Sequence, residues 1–185
     1  MSKKVDFEKA HMLAPTPVVL VGCAHRDIGR NVLTVAWCGV DSSDPPTVHV
    51  SIRPSRYSHR IIKESGTFTV NIPTRELLRQ VDICGTVSGK YADKFERAGL
   101  TAAAGSVVEA PIVAECPVNL ECKVLHFMPL GAHDMFIGEI VARHADESLV
   151  TKGRVAWDKI ALIAYVSGDY WSLGEKIGTY GFTSK

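Results

Sequence analysis

Residues 17–72, PVVLVGCAHRDIGRNVLTVAWCGVDSSDPPTVHVSIRPSRYSHRIIKESGTFTVNI, decide the fold. Pro17 to Ala24 is an apolar run rich in valine. Its length and β-branched content favour a strand covered on both faces. Asp27-Ile28-Gly29 supplies a turn, and Asn31 to Val40 reads as a second strand. Asp41 to Pro46 is a concentrated breaker loop. From Val48 to Ile52, apolar Val48, Val50 and Ile52 alternate with His49 and Ser51, the period of a half-buried strand. Ser58 to Ser65 forms a short amphipathic helix that Gly66 stops, and Phe68 to Ile72 returns as a strand. Strands joined by short turns predict an antiparallel meander and a barrel or sandwich, mainly β with short helices.

Chemistry concentrates just after the third strand, in Ser51-Ile52-Arg53-Pro54-Ser55-Arg56-Tyr57-Ser58-His59-Arg60. Three arginines and three serines gather at a helix start. Ser58 is placed to cap that helix, while free backbone N–H groups and guanidinium forks face outward. The combination suits a phosphate. Its plainer alternative is a solvated basic first turn.

The 185 residues suit one compact domain over 1–185, with residues 1–14 as an N-terminal extension and 167–185 as a mostly irregular tail. Within that extension, Lys3 to Met12 reads as a tail or short helix. Hydrophobic residues make up 46% of the chain, as in a globular protein. The 21 basic and 20 acidic residues nearly cancel, which argues against a nucleic-acid partner. No apolar run reaches the roughly 18 residues of a membrane span, and the first fifteen residues lack the apolar core of a secretory signal. A cytoplasmic location is expected. Five cysteines without a C-x-x-C pair point to reduced, buried thiols, and the seven scattered histidines give no zinc pattern.

Farther along, Arg75–Ile83 predicts a helix with Leu78, Val81 and Ile83 on one face, and Tyr91–Ala98 a second helix closed by Gly99. Val107–Val113 reads as extended. Val118–Phe127 and Met135–Arg143 read as an antiparallel pair joined through Pro129–Ala132, and Ile160–Val166 as a buried strand. Gly85-Thr86-Val87-Ser88-Gly89-Lys90 fails as a P-loop. It has three residues between its glycines, and Tyr91 stands where a magnesium-binding hydroxyl belongs. No G-x-G-x-x-G is present, so a Rossmann nicotinamide site is unsupported.

The ordered set Gly29, Asn31, Thr34, Ala36-Trp37, Pro45-Pro46, Ser51-Ile52, Arg56, Ser58, Phe68 and Val70-Asn71-Ile72-Pro73 resembles the flavin-reductase-like family, in its flavoredoxin-like branch. Cys84-Gly85-x-x-Ser88-Gly89-Lys90-x-x-Asp93-Lys94-Phe95 and Gly131-Ala132-His133-x-x-Phe136-Ile137-Gly138-Glu139 continue it. This resemblance implies an FMN-binding split β-barrel, a Greek-key-like antiparallel barrel. It implies FMN contacts from Asn31, Thr34, Ala36, Trp37, Ser51, Ile52, Arg53, Arg56, Tyr57, Ser58, Ser88, Lys94, His133 and Tyr165. In this reading Arg53, Arg56 and Ser58 hold the phosphate and Trp37 walls the ring. Lys94 lies beside the N1–C2=O edge of the isoalloxazine. His133 sits by the flavin and the nicotinamide face, as the catalytic residue.

The family departs from this chain in two places. Many members carry Thr where Ser58 stands, which keeps the hydroxyl. The D-G-x-x-N-G pattern of the monooxygenase-supporting branch is replaced by Arg26-Asp27-Ile28-Gly29-Arg30-Asn31. The implied activity is hydride transfer from NADH or NADPH to FMN, then electron transfer to a free flavin, a metal complex or a redox protein, in a homodimer. Two other readings are a flavoredoxin-like carrier reduced by a partner protein and a non-catalytic flavin-binding domain.

Overall fold

Inward and outward side chains alternate along the first long strand, and both sets are buried. Val19, Val21 and Cys23 join the interior of a curled sheet with Val48, Val50, Ile52, Phe68 and Phe136. Val18 and Leu20 pack on its other side with Val81, Cys84, Phe95 and Leu100. That double cover accounts for the continuous apolar run, as the sequence predicts.

The computed structural model describes residues 2–6 and 13–184. The reading of Lys3–Met12 as a tail or short helix lies largely outside them. In chain order the elements are β1 (Thr16–Pro17), β2 (Val19–His25), β3 (Gly29–Val35), β4 (Cys38–Ser43) and β5 (Pro46–Ile52). Next come α1 (Tyr57–Ser65), β6 (Thr67–Ile72), α2 (Leu78–Thr86), α3 (Lys94–Ala98), β7 (Ala102–Ala103) and β8 (Ile112–Val113). The last are β9 (Val118–Pro129), β10 (Asp134–Ala145), β11 (Val150–Thr151), β12 (Arg154–Val155), β13 (Ile163–Val166) and β14 (Asp169–Ser172).

A seven-stranded antiparallel sheet runs β3-β2-β6-β9-β10-β5-β4. The simple meander is therefore corrected. Hairpins β2–β3 and β4–β5 stand at opposite ends of the order, because β6 returns to pair with β2 and not with β5. The sheet curls until β3 touches β5, which brings the two hairpins together. A smaller sheet, β1-β13-β14, lies beside this closure and gives the tail regular structure at Asp169–Ser172.

Several boundaries differ from the sequence reading. The expected strand Asn31–Val40 is two strands, broken at Ala36-Trp37, where the Trp37 carbonyl accepts from the Ser51 N–H at 2.8 Å. The expected loop Asp41–Pro46 shrinks to a turn at Asp44-Pro45. Asp41 stays in β4, its carboxylate 2.6 Å from His49 Nδ1 on β5. In α2 the buried face is Val81 and Cys84, while Leu78 is exposed. Helix α3 starts at Lys94 and not Tyr91, because the Asp93 carboxylate accepts from the Phe95 and Glu96 N–H groups as its N-cap.

Only Ile112–Val113 is strand within the expected extended segment Val107–Val113. The N–H groups of Ser106, Val107 and Val108 go to the buried Glu121 carboxylate and not to a ladder. The paired strands predicted around Pro129–Ala132 are present as β9 and β10.

Candidate functional site

Where the two hairpins converge, an elongated cleft opens. One end, of about 300 Å³, is lined by Asn31, Ser55, Arg56, Tyr57, Ser58, Ser88 and Lys94. The other, of about 420 Å³, is lined by Thr34, Ala36, Trp37, Ser51, Ile52, His133 and Tyr165. Leu33, Arg53 and Arg56 border both parts, so the two run into one another. All fourteen residues named from the sequence therefore edge one cleft.

The polar end is built on the start of α1. Arg56 is the N-cap in extended conformation, without a side-chain cap bond. Ser58 lies inside the first turn, 1% exposed, and its Oγ accepts from Asn31 Nδ2 at 2.7 Å. The capping role expected of Ser58 is thus corrected: its hydroxyl points inward to the buried Asn31. Arg60 belongs elsewhere, bonding Glu64 at 2.6 Å on the exposed face of the helix. The His59 N–H already donates to the Arg56 carbonyl at 3.0 Å, and the Tyr57 and Ser58 N–H groups before it, together with Arg56, favour an anion here.

Lys94 is 3% exposed, and its Nζ donates to the Cys84 carbonyl at 2.7 Å. Burial brings its ammonium down to about 8. It is neither a surface charge nor at the aromatic end. It lines the part of the cleft that holds Arg56 and Ser58. The Asp93 cap starts α3 at Lys94, whose side chain turns into the interior to reach the Cys84 carbonyl.

Sequence reading did not single out Gly89 as part of the site, although it stood in the Ser88-Gly89-Lys90 motif. A Cβ there would fall 2.5 Å from Asn31 Oδ1. The missing side chain is what lets Asn31 take its position. Ser55 and Asp82 also border the cleft without having been selected. Ser55 stood among the three serines gathered at the helix start, and no pattern pointed to Asp82.

At the other end, Trp37 and His133 stack, with ring centroids 5.6 Å apart and planes 9° apart. Tyr165 stands at 6.1 Å from Trp37, tilted by 50°. Arg53 Nε donates to His133 Nε2 at 3.4 Å. Two candidates serve the walls more than the lumen. The Thr34 hydroxyl donates to the Val81 carbonyl, and the Tyr57 hydroxyl to that of Ile28.

A buried tie joins the ends. His59 Nε2 lies 2.7 Å from Asp134 Oδ2, and both residues are 7% exposed. His59 follows Ser58 on α1, and Asp134 follows His133 at the start of β10. The pair fixes the anion end against the aromatic end. Cysteine contributes no nucleophile: burial pushes Cys84 up to about 11 and Cys23 and Cys38 up to about 12. Among the described residues no group of His, Cys, Asp or Glu could hold a metal ion, and no helix is long and apolar enough to cross a membrane.

Residues 12–170 match the flavin reductase like domain family. A protein of Archaeoglobus fulgidus is 42% identical over 117 residues, 63% of this chain and 66% of that protein. The structure of flavoredoxin from Desulfovibrio vulgaris (Miyazaki F) is 35% identical, with a TM-score of 0.91 over 99% of this chain and all of that one. Flavoredoxin from Methanosarcina acetivorans gives 27% and 0.91 over the full length of both. With its sheet order, its cleft and this family match in agreement, the chain belongs to the flavin reductase like family and has its split-barrel fold.

Proposed function

We propose that this chain binds FMN without a covalent bond and works as an oxidoreductase, taking a hydride from NADH or NADPH and passing electrons to a free flavin, a metal complex or a redox protein. One observation carries the reading: a single cleft has a cationic helix start at one end and stacked aromatic side chains at the other. FMN has the same two-part chemistry, a phosphate and a flat ring, and two adjoining cavities of several hundred Å³ suit a ligand of its size.

Bound FMN would supply the two-electron acceptor. The protein's part is binding, orientation and exclusion of water. Arg56, Ser58, Lys94 and the first-turn N–H groups of α1 hold the phosphate, with Arg53 alongside. Asn31 and Ser88 reach the ribityl hydroxyls. Trp37, Tyr165, Ala36 and Ile52 wall the ring, and Ser51 offers it a polar edge. His133 orients the nicotinamide amide.

The narrower alternative is an electron carrier reduced by a protein partner, which the full-length similarity to flavoredoxin favours. Anaerobic mixing of the purified yellow protein with NADH or NADPH separates the two. Bleaching of the flavin band supports the reductase, and bleaching by dithionite alone supports the carrier. A colourless protein that takes up no added FMN removes both.

Residues 1–185 act here as one domain, and two copies associate. An apolar groove of about 600 Å³ between Pro15–Val19 and Trp157–Leu173 is the candidate contact, with Trp171 58% and Leu173 54% exposed beside it.

A further inference from the structure

Lys94 has an unusual environment for a cation. It is 3% exposed, and the Cys84 carbonyl takes one of its three donors. Among the described residues no carboxylate pairs with it. The nearest candidate by sequence, Asp93, is committed to the Phe95 and Glu96 N–H groups and to Arg30 at 3.2 Å. The charged and titratable groups facing Lys94 are Cys84 from α2, Cys23 from β2 and Arg56 from the start of α1. Burial keeps both thiols neutral at ordinary pH, and Arg56 repels a charged Lys94. A buried ammonium with a like charge beside it and no counter-ion tends to give up its proton.

We infer that Lys94 joins Arg56 in selecting phosphorylated flavin over riboflavin, and that it does so by taking up a proton when the phosphate dianion arrives. The inference rests on the FMN reading of the cleft. Before binding, burial holds the ammonium near 8, so the side chain is largely neutral at pH 9. A dianion at the Arg56–Ser58 end supplies the missing counter-charge and restores the ordinary lysine value. The proton comes from solvent to Nζ, and no other bond changes. Riboflavin lacks the anion and leaves Lys94 as it was.

If the bound value returns to about 10.4, uptake is roughly 0.9 proton per FMN at pH 9 and about 0.2 at pH 7.5. By the same linkage, FMN affinity falls roughly eightfold from pH 7.5 to pH 9, and riboflavin affinity stays level.

The test is calorimetric titration of the flavin-stripped full-length protein with FMN and with riboflavin. Each titration is run in two buffers of different ionisation enthalpy, so that heat against buffer enthalpy counts protons. Lys94→Arg, which stays charged throughout, should bind FMN with no uptake and no fall toward pH 9. Lys94→Met should lose part of its preference for FMN and also show no uptake. Uptake unchanged in Lys94→Arg would place the proton elsewhere and overturn the inference. A wild-type protein that prefers FMN strongly but takes up no proton would overturn it too, leaving the cofactor reading intact. Equal affinity for FMN and riboflavin would instead defeat the cofactor reading itself.

Discussion

Replacing Glu121 by Gln tests whether one carboxylate holds the 104–108 segment onto the barrel. Glu121 is fully buried on β9. Its Oε1 accepts from the Ser106 N–H at 2.6 Å, the Ser106 hydroxyl at 2.8 Å and His144 Nε2 at 2.6 Å. Its Oε2 accepts from the Val107 and Val108 N–H groups at 2.8 and 2.7 Å. Burial alone would raise this carboxyl, but the donors outweigh it and hold it near 2, against an ordinary 4.5. At about 1.4 kcal/mol per pH unit, that gap is worth about 3 kcal/mol of folding stability.

The sign follows from the lowered folded value. The stabilisation is complete above the unfolded pKa and disappears as pH falls from about 5 toward 2. A Gln side chain keeps the shape but turns an NH₂ toward N–H donors, stranding them in a buried site. Glu121→Gln should therefore lose about 3 kcal/mol at pH 7 by urea unfolding, at matched protein and flavin concentrations. Its deficit relative to wild type should shrink steadily below pH 5. A deficit under about 1 kcal/mol at pH 7, or one that persists unchanged at pH 2, would refute the argument.

Arg56→Ala should lose FMN while keeping riboflavin affinity about as before, as read by flavin fluorescence quenching. Gly89→Ala should push Asn31 off Ser58, whose 2.7 Å bond it would break, and weaken FMN binding roughly tenfold with little change in the unfolding midpoint. His133→Ala should slow anaerobic reduction by NAD(P)H roughly ten- to a hundred-fold, a loss of about 1 to 3 kcal/mol in the transfer step, and leave dithionite reduction untouched. Equal slowing with both reductants would make His133 a general support of the pocket. Sedimentation at micromolar concentration should give a flavin-loaded dimer, and a flavin-loaded monomer would contradict the proposed contact.

The features legible in the sequence are those with a local physical cause. The double-sided cover of β2 shows as an unbroken apolar run, and the half-buried β5 as strict alternation. The anion end shows as arginine and serine crowded before a helix. Motif order then reached the remaining cleft residues, including His133 and Tyr165, whose residue types alone would pass as surface or core.

Most of what stayed hidden depends on partners in other elements. The break at Ala36-Trp37 is held by a bond from Ser51 across the hairpin. Asp41 stays in its strand because His49 lies opposite. The extended segment before Pro111 loses its ladder to a carboxylate on β9. The place of Lys94 follows from an N-cap that shortens its helix by a turn. None of these leaves a periodic trace: the first three rest on single contacts between residues 8 to 14 positions apart, and the last on a local cap.

The pairing of Thr16 with Tyr165 bears on how the protein matures. It joins residues 149 positions apart, whereas the anion end draws only on residues 31 to 94. Long-range closure costs more chain entropy and comes later in folding than short-range contact. A growing chain thus carries the anion end and the Ala36–Ile52 side of the cleft well before it carries Tyr165, which closes the cleft from β13. A chain cut short before β13 would keep every residue of the anion end and lose the aromatic side chain that stands 6.1 Å from Trp37.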